Sequence, residues 1–258
     1  MSKPASTSRG GYDRTSHLQG SEMIVNHDHR FVFVQVPQTG STAIGTELVE
    51  NYGAEHVLMK HSTLIEARLA LGSRIRGYRV FTSVRHPIDQ AVSSYYKLKT
   101  DHKGTNERDA AQAGNRAERV RAVEQGELDA SQYVHDVAAR HTFAPVWLLS
   151  QRASDFVIRF EQLAEDFDEM LRRLGITPVR ALPVRNETSR PRDETADPVP
   201  EAFRPFMVEW GYEPSGGAPI SFRRRLAYRL TPAAKQIRRM DRIPRLRRMV
   251  ATGAHHGG

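Results

Sequence analysis

Six consecutive residues, Pro37-Gln38-Thr39-Gly40-Ser41-Thr42, follow an apolar run that begins at Phe31 and precede an amphipathic stretch from Ala43. A strand, a Pro/Gly turn and two hydroxyl residues at a helix start are the parts needed to hold a phosphate. The first amides of a helix have no intrahelical partner, and its dipole places partial positive charge at the same end. Gly40 lets the backbone approach a ligand closely, and Ser41 and Thr42 add hydroxyl donors. A plain strand–turn–helix junction has the same order of residue types, so this segment gains its meaning from a second one.

That second junction is Val84-Arg85-His86-Pro87, with Ser93 in the helix that Pro87 opens. Proline favours the first helical position. An arginine fork and a serine hydroxyl converging at the C-terminal end of a strand form another phosphate site. Two such sites on neighbouring strands point to a nucleotide phosphorylated at both ends.

Positioning these groups requires alternating strands and helices. Strands are expected at about Arg30–Val36, His56–Met59, Tyr78–Val84 and Phe156–Phe160. The first is nearly all apolar, as a strand covered on both faces should be. Helices are expected at about Ser41–Asn51, from Thr63 to near Gly72, at Pro87–Leu98, Leu128–Arg140, Ala144–Gln151 and Leu163–Leu174. Thr63 and Glu66 have the spacing of a capping box. The charged, Ala/Gly-rich stretch Thr100–Gln125 reads as a mobile insertion, helical in part. Strand–helix alternation predicts an α/β, P-loop-like three-layer fold: a central parallel sheet flanked by helices, with the site at the strands' C-terminal ends. Residues 1–28 read as a mobile leader, 29–214 as the main domain and 215–258 as a basic, helical tail.

Composition bounds the rest. With 258 residues, 39% hydrophobic and 26% charged, the chain suits one large core plus a small appendage. It lacks an apolar run long enough for a membrane span, a signal-like apolar segment and any cysteine. A cytoplasmic location is therefore expected, peripheral to a membrane at most. From Ser221 to Gly258 there are eleven Arg or Lys against Asp241 alone, a net of +10 that leaves −2 for the rest of a chain totalling +8. The basic character belongs to the tail, which argues against nucleic acid as a partner of the body. Phe222, Leu226 and Leu230 recur four apart amid these arginines. Such a segment either lies on anionic lipid, docks a polyanionic acceptor or packs back on the domain. No His/Asp/Glu grouping has metal-ligand spacing, so no metal is expected. Glu161 is expected to orient a neighbour, and Tyr95 and Tyr96 to be core.

The paired motifs resemble those of the sulfotransferases that use 3′-phosphoadenosine 5′-phosphosulfate (PAPS), in particular carbohydrate-type enzymes and their bacterial relatives. The resemblance rests on Pro37–Thr42, on Val84-Arg85-His86-Pro87 with Ser93, and on Arg159-Phe160-Glu161-Gln162-Leu163. Leu174-Gly175-Ile176, Leu182-Pro183-Val184-Arg185-Asn186 and Phe206–Tyr212 add to it, so that it spans roughly residues 28–213. It implies a transfer of the sulfuryl group from PAPS to an acceptor hydroxyl, carbohydrate or glycolipid, with PAP as the other product. By this likeness the amides of Thr39, Gly40, Ser41 and Thr42 and the Ser41 and Thr42 hydroxyls hold the 5′-phosphosulfate, with Gln38 in the same donor-binding loop. Arg85 and Ser93 grip the 3′-phosphate, and Arg190 or Arg192 adds a late basic contact. His61, in Lys60-His61, is the candidate general base, with a pKa range suited to the role.

The chain departs from the family pattern at position 38, where a lysine usually donates to the departing bridge oxygen. Gln38 donates without charge, and charge-assisted bonds are about twice as strong. Lys60 could substitute. A protein that binds PAP or PAPS without turnover is the alternative that Gln38 keeps open. A P-loop kinase is disfavoured, because the Gly-Lys-Ser/Thr triplet of a Walker A loop is nowhere in the chain.

Overall fold

Side-chain alternation along the strands sorts the interior into two layers. A computed structural model describes residues 21–252 apart from 60, 103, 113, 141–144, 184–198 and 214–218. Among these, β1 (Ser21–Asn26), β2 (Phe31–Val34), β3 (Glu55–Met59), β4 (Arg79–Val84) and β5 (Phe156–Arg159) form one sheet in the order β3-β1-β2-β4-β5. Successive side chains of a strand face opposite ways. Val32 and Val34 therefore enter a cluster with Val25, Val80, Leu64 and Leu246. Phe31 and Phe33 enter another with Ile24, Phe81, Ile44 and Phe167. Each fully buried aliphatic or aromatic side chain contributes about 2 kcal/mol, so a strand buried on both faces is a strong determinant of the fold.

Helices cover both faces. On one lie α1 (Ser41–Tyr52) and α8 (Leu163–Arg173), which bury Ile44, Leu48, Phe167 and Leu171. On the other lie α2 (Leu64–Leu71) and α11 (Ile243–Ala251), which bury Leu64, Ala67, Ile243, Leu246 and Val250. The capping box at the start of α2 forms as expected. Thr63 Oγ1 accepts from the Glu66 amide at 3.2 Å, and Glu66 Oε2 accepts from the Thr63 amide at 2.6 Å.

Three expectations are corrected. The sheet is mixed, since β2, β4 and β5 run parallel but β1 pairs antiparallel with both β2 and β3. The four residues between β1 and β2 are too few for a crossover, so the pair must be a hairpin. The leader expected over 1–28 gives way at Ser21, because Met23, Ile24 and Val25 are core residues of β1; residues 1–20 lie outside the described residues. The insertion expected over Thr100–Gln125 holds α4 (Asn106–Ala110) and α5 (Asn115–Glu124), and α5 is packed. Its Val120 and Val123 join Tyr95 and Leu98 of α3 (Pro87–Lys99) and Tyr133 of α6 (Ala130–Arg140).

The chain then passes through α7 (Leu148–Arg152) and α9 (Arg204–Glu209) to α10 (Phe222–Ile237). The tail packs back on the domain. Tyr228 of α10 is buried beside Val84, Leu148 and Phe206, while α11 completes the α2 layer.

Candidate functional site

Two αL residues, Gln38 (φ 62°) and Gly40 (φ 74°), curl the β2–α1 turn around Thr39. The left-handed region is uncommon for a residue with a Cβ, so the turn stores strain at Gln38. Gly40 is required for a second reason: a Cβ there would lie 2.8 Å from Leu163 Cδ2 and 3.3 Å from Phe160 Cδ2. The turn is braced from inside by the Val36 carbonyl, which accepts from Thr39 Oγ1 at 2.8 Å and from Ser41 Oγ at 2.7 Å. The Thr39 hydroxyl hydrogen is directed at the Val36 carbonyl, so in the 2.5 Å contact between the Thr39 and Ser83 hydroxyls Ser83 is the donor. The Ser41 hydroxyl, expected as a ligand donor, is thus used within the turn. Thr42 is exposed in the first turn of α1, which carries no acidic residue there.

The β4–α3 junction closes on this turn. Arg85 Nη1 donates to the Gln38 carbonyl at 3.0 Å, and Gln90 Nε2 donates to the Pro37 carbonyl at 2.8 Å. The Arg85 guanidinium lies 3.8 Å from the centroid of the Phe160 ring, pairs through Nε with Asp89, and is only 6% exposed. Ser93 is buried on α3. Arg85 and the 38–41 turn therefore share one locus, as the sequence motifs require.

The β5–α8 junction holds the other two together. Phe160 lies under Arg85, and Leu163 abuts Gly40. Glu161 Oε1 accepts from the His86 amide at 2.7 Å, and its Oε2 accepts from the Tyr212 hydroxyl at 2.9 Å. Glu161 is thus an orienting residue. The His86 ring meets Tyr212 edge-on at 5.1 Å. Burial pushes the His86 pKa below its ordinary value, partly opposed by Glu161 and Asp89. Burial, reinforced by Glu161, pushes the Tyr212 phenol up, so it stays a hydrogen-bond donor.

His61 sits just past β3 with φ 58°. Its Nδ1 is 3.0 Å from the Gln35 carbonyl, at the end of β2 and three residues before Gln38. A carbonyl oxygen only accepts, so Nδ1 carries the proton and the neutral ring bears its lone pair on Nε2. The turn around His61 is anchored by partners that sequence reading missed. Trp147 Nε1 donates to the His61 carbonyl at 3.0 Å, and Arg239 Nη2 donates to the same oxygen at 2.9 Å. Arg239 also bonds Glu66, whose side chain is fully buried and 3.2 Å from Arg242. Gln236 Oε1 accepts from Thr63 Oγ1 at 2.9 Å. Lys60, Arg190 and Arg192 lie outside the described residues. Among the described residues, no group of three His, Asp or Glu could hold a metal ion.

Two βα corners of a three-layer α/β protein are thus joined by an arginine-to-carbonyl bond. The sulfotransferase family model matches residues 21–204, and the chain belongs to that family. It matches no curated protein and no solved structure. Family membership makes it a transferase that moves a sulfuryl group.

Proposed function

We propose that the protein transfers the sulfuryl group of PAPS to a hydroxyl of a carbohydrate or glycolipid acceptor, releasing PAP. The observation that supports this reading is the 3.0 Å bond from Arg85 to the Gln38 carbonyl, which brings the β4–α3 junction against the 38–41 turn. The residues present fit a doubly phosphorylated nucleotide. Gly40 takes the left-handed conformation with no Cβ, and α1 begins without an acidic side chain.

PAPS, when bound, supplies an activated sulfuryl group on a phosphate leaving group. In our reading the amides of Thr39, Gly40, Ser41 and Thr42 hold the 5′-phosphosulfate, with the Thr42 hydroxyl as the remaining side-chain donor. The Ser41 and Thr39 hydroxyls keep the turn in shape. Arg85 and Ser93 recognise the 3′-phosphate, with Arg190 or Arg192 as a further cation. His61 Nε2 takes the acceptor proton, and Gln38 donates a hydrogen bond towards the bridge oxygen, with Lys60 as the substitute cation. Positioning and charge stabilisation supply most of the rate in such transfers.

The test is a pair of measurements. PAP should raise the melting temperature while ADP does little, and incubation with PAPS plus a panel of sugars should release PAP. Equal protection by PAP and ADP counts against a 3′-phosphate site. A second reading, a PAP- or PAPS-binding protein without turnover, is favoured by the uncharged Gln38; PAP binding with no transfer to any acceptor would select it.

A further inference from the structure

Apolar side chains exposed on this protein are concentrated on one element. Of the large hydrophobic residues exposed among those described, Phe222 (78%), Leu226, Leu230 (58%), Ile237 (71%) and Met240 lie on α10 or just beyond it. At about 100° per residue, Phe222, Leu226, Leu230 and Ile237 fall within an arc of about 80°. Ala233, also exposed, falls inside the same arc. The arc is separate from the side that carries the buried Tyr228, Pro232 and Gln236. The helix is therefore fixed to the domain by one side and presents on another an apolar stripe that no described residue covers.

The charges beside the stripe state what it meets. None of the sixteen residues of α10 is acidic, and exposed Arg223 and Arg229 flank the stripe. A face shared with a second copy of this chain would bring these arginines against one another. A bilayer with anionic headgroups accepts both features, taking the stripe into the acyl boundary and the guanidiniums at the phosphate level. No helix among the described residues is long and apolar enough to cross a membrane, so the contact is peripheral.

We infer that α10 is a docking surface for an anionic phospholipid membrane, with Phe222, Leu226, Leu230 and Ile237 inserting and Arg223 and Arg229 contacting headgroups. The inference is independent of the acceptor and donor assigned above.

Flotation of the full chain with vesicles of phosphatidylcholine, with or without phosphatidylserine, tests it. The protein should float with the phosphatidylserine vesicles and stay behind with phosphatidylcholine alone, and added salt should weaken retention. Leu226→Asp and Leu230→Asp should each weaken binding about tenfold, because each removes an inserted side chain. Arg223→Gln and Arg229→Gln should each weaken it about fivefold. These positions are exposed, so unchanged melting verifies that the variants fold. Absence from phosphatidylserine vesicles, or unchanged flotation of the leucine variants, overturns the inference. So does a dimer in light scattering that Leu226→Asp abolishes, which would assign the stripe to a second copy. Retention on heparin that is lost in the arginine variants, without vesicle binding, would assign it to a polyanion instead.

Discussion

The Arg239 guanidinium reaches back across 178 residues of sequence to donate a 2.9 Å hydrogen bond to the His61 carbonyl. It also bonds Glu66, which is fully buried. The segment after α10 thus forms one wall of the turn that carries the candidate base. Residue 239 lies beyond residues 21–204, which the family model matches.

Arg239→Ala should lower turnover and stability together. Removing one partner of a buried pair typically costs about 3 kcal/mol, here moderated by Arg242, which remains 3.2 Å from Glu66. If Arg239 acts through His61, kcat should fall about tenfold with little change in the donor KM, a loss of about 1.4 kcal/mol of barrier stabilisation. In a His61→Ala background the same substitution should cost no further activity. An equal loss of kcat in both backgrounds would make Arg239 a purely structural residue.

Gly40→Ala tests the phosphate turn. Alanine at φ 74° costs about 1 kcal/mol from backbone conformation alone, and its methyl would stand 2.8 Å from Leu163 Cδ2. Calorimetric titration should show PAP affinity reduced about tenfold or more, with the melting temperature down by several degrees. Adding Leu163→Ala removes the clash but not the strained φ, so it should restore part of the affinity. Full affinity in Gly40→Ala would show that the turn is not the donor site.

How far the sequence was legible follows from the range of the interactions. The strand–turn–helix at 31–52 and the proline-led helix at 87 are written in local patterns, and both form. β1 was missed because Met23, Ile24 and Val25 are a short apolar run among polar neighbours, buried only when β2 and β3 pair on either side. Gln90 gave no signal, since its bond to the Pro37 carbonyl joins residues 53 positions apart. The contacts of Arg239 with Glu66 and His61 span 173 and 178 positions, a distance at which no local periodicity operates. The 222–230 stripe was visible as a repeat, but only the packing of Tyr228 shows which side of the helix faces inward.

His86 should make the fold sensitive to acid. Burial holds its pKa below the ordinary 6.5, so the unfolded chain binds a proton more readily than the folded one. The neutral ring's contribution is fully present above 6.5 and is lost as pH falls through 6.5 towards the depressed folded value. His86→Asn removes that loss and offers a side-chain cap that α3 lacks, worth about 1 kcal/mol. Thermal melts should show the parent losing stability below about pH 6.5 more steeply than the variant. Parallel curves for the two proteins would assign the acid sensitivity to other groups.

Gln38→Lys addresses a motif position that departs from the pattern the chain otherwise resembles. The backbone there is already left-handed, and lysine adopts it no less readily than glutamine, so the substitution adds no conformational strain. Its carbonyl would keep the bond to Arg85, which does not involve the side chain. The Gln38 amide oxygen is buried without a partner, so its replacement also removes an unsatisfied group. A charge-assisted bond to the bridge oxygen exceeds a neutral one by about 1 kcal/mol, which converts to about a fivefold gain in kcat. The gain should appear in kcat with PAP affinity changed less, because charge on the bridge oxygen develops as the bond breaks. A Gln38→Lys protein that turns over no faster, while binding PAP more tightly, would show that position 38 contacts the donor in its ground state only.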